Sequence, residues 1–225
     1  MPHYDKYFDQ ELQDLKEMVL RLGGMVEEQV SNAIQSLMDG NAELARETIK
    51  VDHLINKLEV EIDEKCIDIL ALRQPMGPDL RFVTTAIKII DNLERMGDMA
   101  VNICERVIDI AAEPRLKVYL DIPRMADVAK QMLKGCLDAF VTRNTAQAQQ
   151  VRLQDDTVDA LMSQIFRELL SFMVEDPHTI SRATRIMFIA KYIERIADHA
   201  TNIAEMVIYM VEGRIVRHTD PEVGH

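Results

Sequence analysis

Tryptophan is absent from this chain, and aromatic residues of all kinds reach only 5%. Glycine and proline are also sparse, 8 and 7 in 225 residues, which leaves little material for strand-rich architectures with their frequent tight turns. Aliphatic side chains and 14 methionines supply the apolar content instead, a balance that favours an all-α fold. The three cysteines, Cys66, Cys104 and Cys136, are odd in number, widely separated and set within helical patterns. They read as buried reduced thiols of a cytosolic protein, and no disulfide framework follows from them. With no C-x-x-C pair and no close Cys/His spacing, a zinc site of this kind is not expected.

Positive charge is short as well: Lys and Arg number 26 against 38 acids, for a net charge of −12. Nucleic acid is therefore an unsuitable partner, since phosphate binding needs clustered cations; metal cations or basic protein patches suit such a surface. No run of 18 apolar residues occurs, and the opening Met1-Pro-His-Tyr-Asp-Lys-Tyr7 has no apolar signal core. The expectation is a chain that neither spans a membrane nor is exported by a conventional signal. Gly-rich phosphate loops, H-E-x-x-H and the nucleophile elbow are all missing. A di-iron oxidase would need Glu-x-x-His on paired helices, but His199 follows Ile196 and His53 follows Lys50 at that spacing. No catalytic residue is assigned, and His199 is expected as a surface or interhelix histidine.

What is present is a repeated phrase. Glu94-Arg-Met-Gly-Asp98-Met-Ala-Val-Asn102-Ile-Cys-Glu105 and Glu194-Arg-Ile-Ala-Asp198-His-Ala-Thr-Asn202-Ile-Ala-Glu205 share seven of twelve positions and lie 100 residues apart, the mark of an internal repeat. Each copy sits in a long proline-free run of helical spacing. At about 100° per residue, positions i, i+4, i+8 and i+11 fall within an arc of roughly 80°. Glu94, Asp98, Asn102 and Glu105 thus form one oxygen-bearing stripe, and Glu194, Asp198, Asn202 and Glu205 another. Ile87, Ile90, Val101 and Ile108 project within about 40° of Glu94, so the stripe borders the apolar face. Like charges four apart cost about 0.3 kcal/mol on an exposed helix, and more where the dielectric is low. Three things could compensate them: bound hard or borderline cations such as Mg²⁺, Mn²⁺, Fe or Zn²⁺; arginines, with Arg81, Arg95, Arg185 and Arg195 as candidates; or protonation of some of the acids.

The spacing predicts six helices. The first carries the seam Phe8, Leu12, Leu15, Val19, Leu22 and Val26, interrupted by Gly23-Gly24, where a close crossing or a slight bend is expected, and it ends at Asp39-Gly40-Asn41 with Asn41 capping the second. The second runs from Ala42 to Leu72 with Leu44, Val51, Leu54, Ile55, Leu58, Ile62, Cys66, Ile69 and Leu70 inward. The turn Gln74-Pro-Met-Gly-Pro-Asp79 follows, with Asp79 a candidate cap for the third, Phe82 to Ile110. A linker follows before Pro123. The fourth spans Arg124 to Val141 and the fifth Thr145 to Glu175, and Asp176-Pro177 introduces the sixth. Asp155-x-x-Val158-Asp159-x-Leu161-x-x-x-Ile165 matches Asp52-x-x-Ile55-Asn56-x-Leu58-x-x-x-Ile62, so the repeat extends beyond the stripe. The unit is an up-down-up three-helix bundle used twice: residues 1–113 and 121–213, with 114–120 as linker and 214–225 as a C-terminal tail. Oxygen ligands facing each other from two adjacent helices are how carboxylate metal sites are assembled.

Four stretches carry a resemblance to a known family. They are Leu72-Arg-Gln-Pro-Met-Gly-Pro-Asp79-Leu-Arg-Phe82, Asp91-Asn-Leu-Glu94-Arg-Met-Gly-Asp98-Met-Ala-Val-Asn102-Ile, Asp121-Ile-Pro-Arg-Met125 and Tyr192-Ile-Glu194-Arg-Ile-Ala-Asp198-His-Ala-Thr-Asn202-Ile-Ala-Glu205. The chain resembles the PhoU family over essentially its whole length. That resemblance implies two tandem three-helix bundles and multinuclear metal sites on E/D-x-x-x-D motifs, one set per bundle. Carried over by position, the metal-binding acids are Glu94 and Asp98, and Glu194 and Asp198, with Asp52 and Asp91 in the first set, Asp155 and Asp159 in the second, and Asn102 and Asn202 as further stripe members. Two departures weaken the equivalence: Asn56 stands where the repeat has Asp159, and Lys191 stands opposite Asp91. The implied cofactors are divalent or trivalent metal ions (Fe, Zn, Mn, Mg or Ni). The implied role is a cytoplasmic homodimeric negative regulator of the phosphate-starvation response, peripheral to the inner membrane through its partners. Those partners are the Pst phosphate transporter's ATPase subunit and a membrane sensor histidine kinase. A metal-dependent phosphohydrolase and a metal-free helical scaffold are the alternatives.

Overall fold

The computed structural model describes residues 2–114, 116 and 121–216, with side chains from residue 6 onward. The first helix, α1, runs Pro2–Asp39 and buries Leu15, Val19, Leu22 and Val26 completely, the seam anticipated from spacing. Of its paired glycines only Gly23 is at a crossing: a Cβ there would stand 2.6 Å from Leu137 Cδ1, whereas one on Gly24 would meet open space. Gly40 closes α1 at φ +63°, and the Asn41 side chain accepts from the amides of Glu43 and Leu44, so the cap falls where expected.

The second helix departs from its expected form. It divides into α2 (Ala42–Lys50) and α3 (Asp52–Arg73) around Val51. The Leu54 amide bonds to the Val51 carbonyl at 3.0 Å, a three-residue step, and the freed Lys50 carbonyl accepts from His53 Nδ1 at 2.7 Å. That step tightens the helix and changes its facing, which is why Val51 and Leu54, expected inward, are exposed while Ile55, Leu58, Ile62, Cys66 and Ile69 are buried.

Helix α4 spans Pro78–Ile110 with Pro78 in its first turn. Gly77, at φ +55°, occupies the cap position with no side-chain bond, so Asp79 lies inside the helix and does not cap it. Helix α5 starts three residues earlier than expected, Asp121–Thr142, because Pro123 is tolerated in a first turn, where no helical amide partner is needed. Asn144 caps α6 (Thr145–Glu175), and a 3₁₀ turn at Pro177–Thr179, held by the Asp176 side chain on the His178 amide, leads into α7 (Ile180–Glu212). Gly213 ends α7 at φ +73°. Residues 115 and 117–120 of the expected linker, and 217–225 of the expected tail, lie outside the described residues.

Helices α1 to α4 form one up-down-up unit and α5 to α7 the other, and α4 packs on α7 more extensively than any other pair of helices meets. One contiguous apolar cluster runs through both units. The halves are joined by Gly23 against Leu137, by Phe82 stacked on Phe140 with ring centres 5.6 Å apart, and by Arg81 Nε donating to the Met210 carbonyl at 3.3 Å. Cys66, Cys104 and Cys136 are free and buried; burial pushes the thiols of Cys66 and Cys104 up to about 12, so they stay protonated and unreactive. Among the described residues no helix is long and apolar enough to cross a membrane.

Candidate functional site

The first acidic stripe lies along α4 at the edge of the core. Glu94 and Asp98 are half-buried, and Asp91 is exposed. Across from them, Asp52 opens α3. Its Oδ1 accepts from Gln29 Nε2 of α1 at 3.1 Å and its Oδ2 from Asn56 at 3.2 Å, so the amide that replaces a carboxylate in this half serves its neighbour as a donor. Gln29 is 1% exposed, and its Oε1 has no partner among the described residues. That oxygen would stand 3.0 Å from a Cβ on Gly97; the glycine leaves the room that Gln29 and Asp52 occupy.

Burial, followed by the charge of Asp52, lifts the Asp98 carboxyl above the ordinary aspartate range. Burial and then Asp98 lift Glu94, against the relieving pull of Arg95 at 3.8 Å, with Asp91 and Glu59 adding to the rise. Glu59 is itself raised by burial, Asp63 and Asp91. Glu59 and Asp63 were missed by the motif reading, although Glu59-x-x-x-Asp63 has the same four-residue acid spacing on the facing helix α3. Asn102 turns back on its own helix, donating to the Asp98 carbonyl at 2.9 Å.

The second stripe faces α6. Asp198 is accessible at the surface, yet partial burial of its carboxyl and then the charges of Asp155, Glu194 and Asp159 lift it to about 6, with Lys191 opposing. Burial comes first for Asp155 and Asp159 too, and both are raised. Thr201 donates to Asp155 at 3.2 Å, and Lys191 pairs with Glu194. Lys191, the departure opposite Asp91, thus serves as a built-in partial counter-charge for this half.

The stripe ends behave differently. Glu205 pairs with the buried Arg152 at 3.5 Å, and Glu105 with Arg106 at 3.7 Å, so arginine balances them. Of the arginines considered for the stripe centres, Arg81 is spent on the Met210 carbonyl and Arg185 on Glu113. Asn202 and Glu205 line a cleft shared with Asp91 and Glu59. His199 is an interhelix residue: Asn92 gives its Nδ2 to the Lys88 carbonyl, so its Oδ1 accepts from His199 Nδ1 at 2.9 Å across the α4–α7 seam.

As the side chains stand, no three Asp, Glu, His or Cys groups among the described residues converge on a single ion position. The donors are nonetheless all oxygen, repel one another, and include the orphaned Gln29 Oε1, a chemistry that fits a hard cation.

A family model described as "PhoU domain" matches residues 19–107 and again 122–207, one copy in each unit. The chain belongs to the PhoU family. It is 45% identical over 92% of its length to a phosphate-specific transport system accessory protein PhoU homolog of Aquifex aeolicus, covering 94% of that protein. It is 39% identical to the Pseudomonas aeruginosa homolog of the same name, over 96% of this chain and 90% of that one. The crystal structure of PhoU from Pseudomonas aeruginosa superposes with a TM-score of 0.89 at 39% identity, over 92% of this chain and all of that one. The phosphate transport system regulatory protein PhoU from Streptococcus pneumoniae gives 0.87 at 30% identity, over 93% and 99%. Each of the two matched ranges contains one acidic stripe, on the last helix of its unit.

Proposed function

We propose that this chain is a regulatory accessory protein of a phosphate-specific transport system that binds divalent or trivalent metal ions at two carboxylate sites. Its family membership and the names of its relatives support the regulatory part. The observation that carries the metal part is electrostatic: Asp155, Asp159, Glu194 and Asp198 crowd together with Lys191 as their partial relief, and three of these acids are lifted by burial and mutual repulsion. Asp52, Asp91, Glu94 and Asp98, joined by Glu59, would hold the first ion set. Asp155, Asp159, Glu194 and Asp198 would hold the second. A bound cation would neutralise the like charges and tie α3 to α4 and α6 to α7.

In this reading the protein is cytoplasmic and homodimeric, and it links the transporter's ATPase subunit to a sensor histidine kinase, holding the kinase quiet when phosphate is plentiful. Phe166, Leu170 and Val174, one turn apart on α6 and exposed, give an apolar stripe suited to association with a second copy. The test is co-purification of the tagged protein with the transporter ATPase and the kinase from phosphate-replete cells. Retention of both is expected; failure of either to bind the pure protein at micromolar concentration, with and without metal, would remove the adaptor role.

A further inference from the structure

Helices α3, α4 and α7 and the segment leaving α7 enclose a cleft of about 820 Å³, a size typical of ligand sites. From α3 and α4 come the carboxylates of Glu59, Asp63 and Asp91, opposed by one ammonium, Lys88. From α7 and beyond come Met206, Tyr209 and Ile215. Ile215 is 76% exposed, an apolar side chain offered at the rim. Glu205 also lines the cleft, but its charge is engaged by Arg152. Arg152 Nη2 further donates to the Val216 carbonyl at 3.2 Å, which fixes the segment beyond α7 as a wall.

Two polar groups in this lining are not engaged by the described residues. Thr85 is 1% exposed, and among the described residues its hydroxyl makes no hydrogen bond; the same holds for the half-buried carboxamide of Asn202. Buried hydrogen-bonding groups left unmatched by their own chain are what an incoming partner completes. A hydroxyl and an amide match peptide N–H and C=O groups, the acid excess matches a cation, and the α7 side chains match hydrocarbon.

We propose that this cleft binds an arginine- or lysine-bearing apolar segment of a partner protein. Its cation lies against Glu59 and Asp91, its apolar side chains on Met206 and Ile215, and its backbone on Thr85 and Asn202. The cleft shares Glu59 and Asp91 with the first ion set of the metal reading, so segment binding is tested in chelator, where its failure leaves that reading untouched.

The probe is a fluorescein-labelled octapeptide alternating leucine with arginine, followed by anisotropy at about 0.15 M salt so that long-range attraction is screened. Saturable binding is expected. Replacing Glu59→Gln together with Asp91→Asn relieves like-charge crowding, so the fold is retained, and should weaken binding about tenfold. Thr85→Val, nearly isosteric, should weaken it about threefold. The exposed pair Glu17→Gln with Glu28→Gln removes the same charge from α1 and should change binding by less than about twofold. Equal loss in the α1 pair and the cleft pair would show mere attraction to an acidic protein and overturn the proposal. So would equal binding of a peptide with glutamate for arginine, or an absence of saturation.

Discussion

Asp198 is the residue on which the electrostatic account can be read most simply. Its folded carboxyl titrates near 6 against an ordinary value of 3.8, so the folded chain holds that proton more tightly than the unfolded chain does. The metal-free protein is therefore favoured below about pH 4, and the advantage is lost as pH rises through about 6. Asp198→Asn should raise the stability of chelator-treated protein by about 1 kcal/mol at pH 7.5, a figure discounted for the exposure of the side chain, and should change it little at pH 4. Urea denaturation at both pH values checks this; a loss of stability at pH 7.5 would mean that the carboxylate has a partner that stabilises it. The acids themselves were legible as a repeated stripe bordering apolar positions. Gln29 was not, because nothing in its local pattern on α1 shows that Gly97 makes space for its amide beside Asp52. Glu59 and Asp63 had a readable spacing but no repeat partner to single them out.

Among the elements, the paired glycines of α1 separate crossing from propensity. A side chain at Gly23 would drive into Leu137, while one at Gly24 would stand free. Gly23→Val should destabilise the protein by about 2 kcal/mol through overpacking, and Gly24→Ala should stabilise it by up to about 1 kcal/mol through helix propensity. Thermal melts of the two variants give the comparison, and like-signed shifts would contradict a close α1–α5 crossing at Gly23. Helix ends were partly legible, since Asn41, Asp176 and the α6 limits follow from cap and proline chemistry, whereas α4 begins at Pro78, inside the expected turn. The break at Val51 was not. It depends on His53 taking the Lys50 carbonyl, a choice between two local bonds that a hydrophobic period of 3.6 does not register, and it sent Val51 and Leu54 outward.

At the scale of the whole molecule, the duplication was legible and the join was not. Two copies of one pattern imply two similar units, and the matching stripes place the acids at equivalent points in each. Which faces meet could not be read, because α4 and α7 are apolar over arcs wide enough for neighbours on more than one side. The His199–Asn92 bond and the single continuous core make the α4–α7 seam the centre of the protein, and the Phe82–Phe140 stack ties α5 to α4 beside it. Each acidic stripe lies on one of the two helices that form this seam, so under the proposed metal binding a change in cation occupancy would act on the packing of both units.

The measurement that bears most directly on this account is the metal content of the protein purified without added metal, by inductively coupled plasma mass spectrometry, for the wild type and for Asp98→Ala with Asp198→Ala. About two or more oxygen-preferring metal ions per chain in the wild type, falling close to zero in the double variant while the helical signal is kept, is the predicted result. A wild-type chain that carries no metal, or a variant that keeps as much as the wild type, would contradict it.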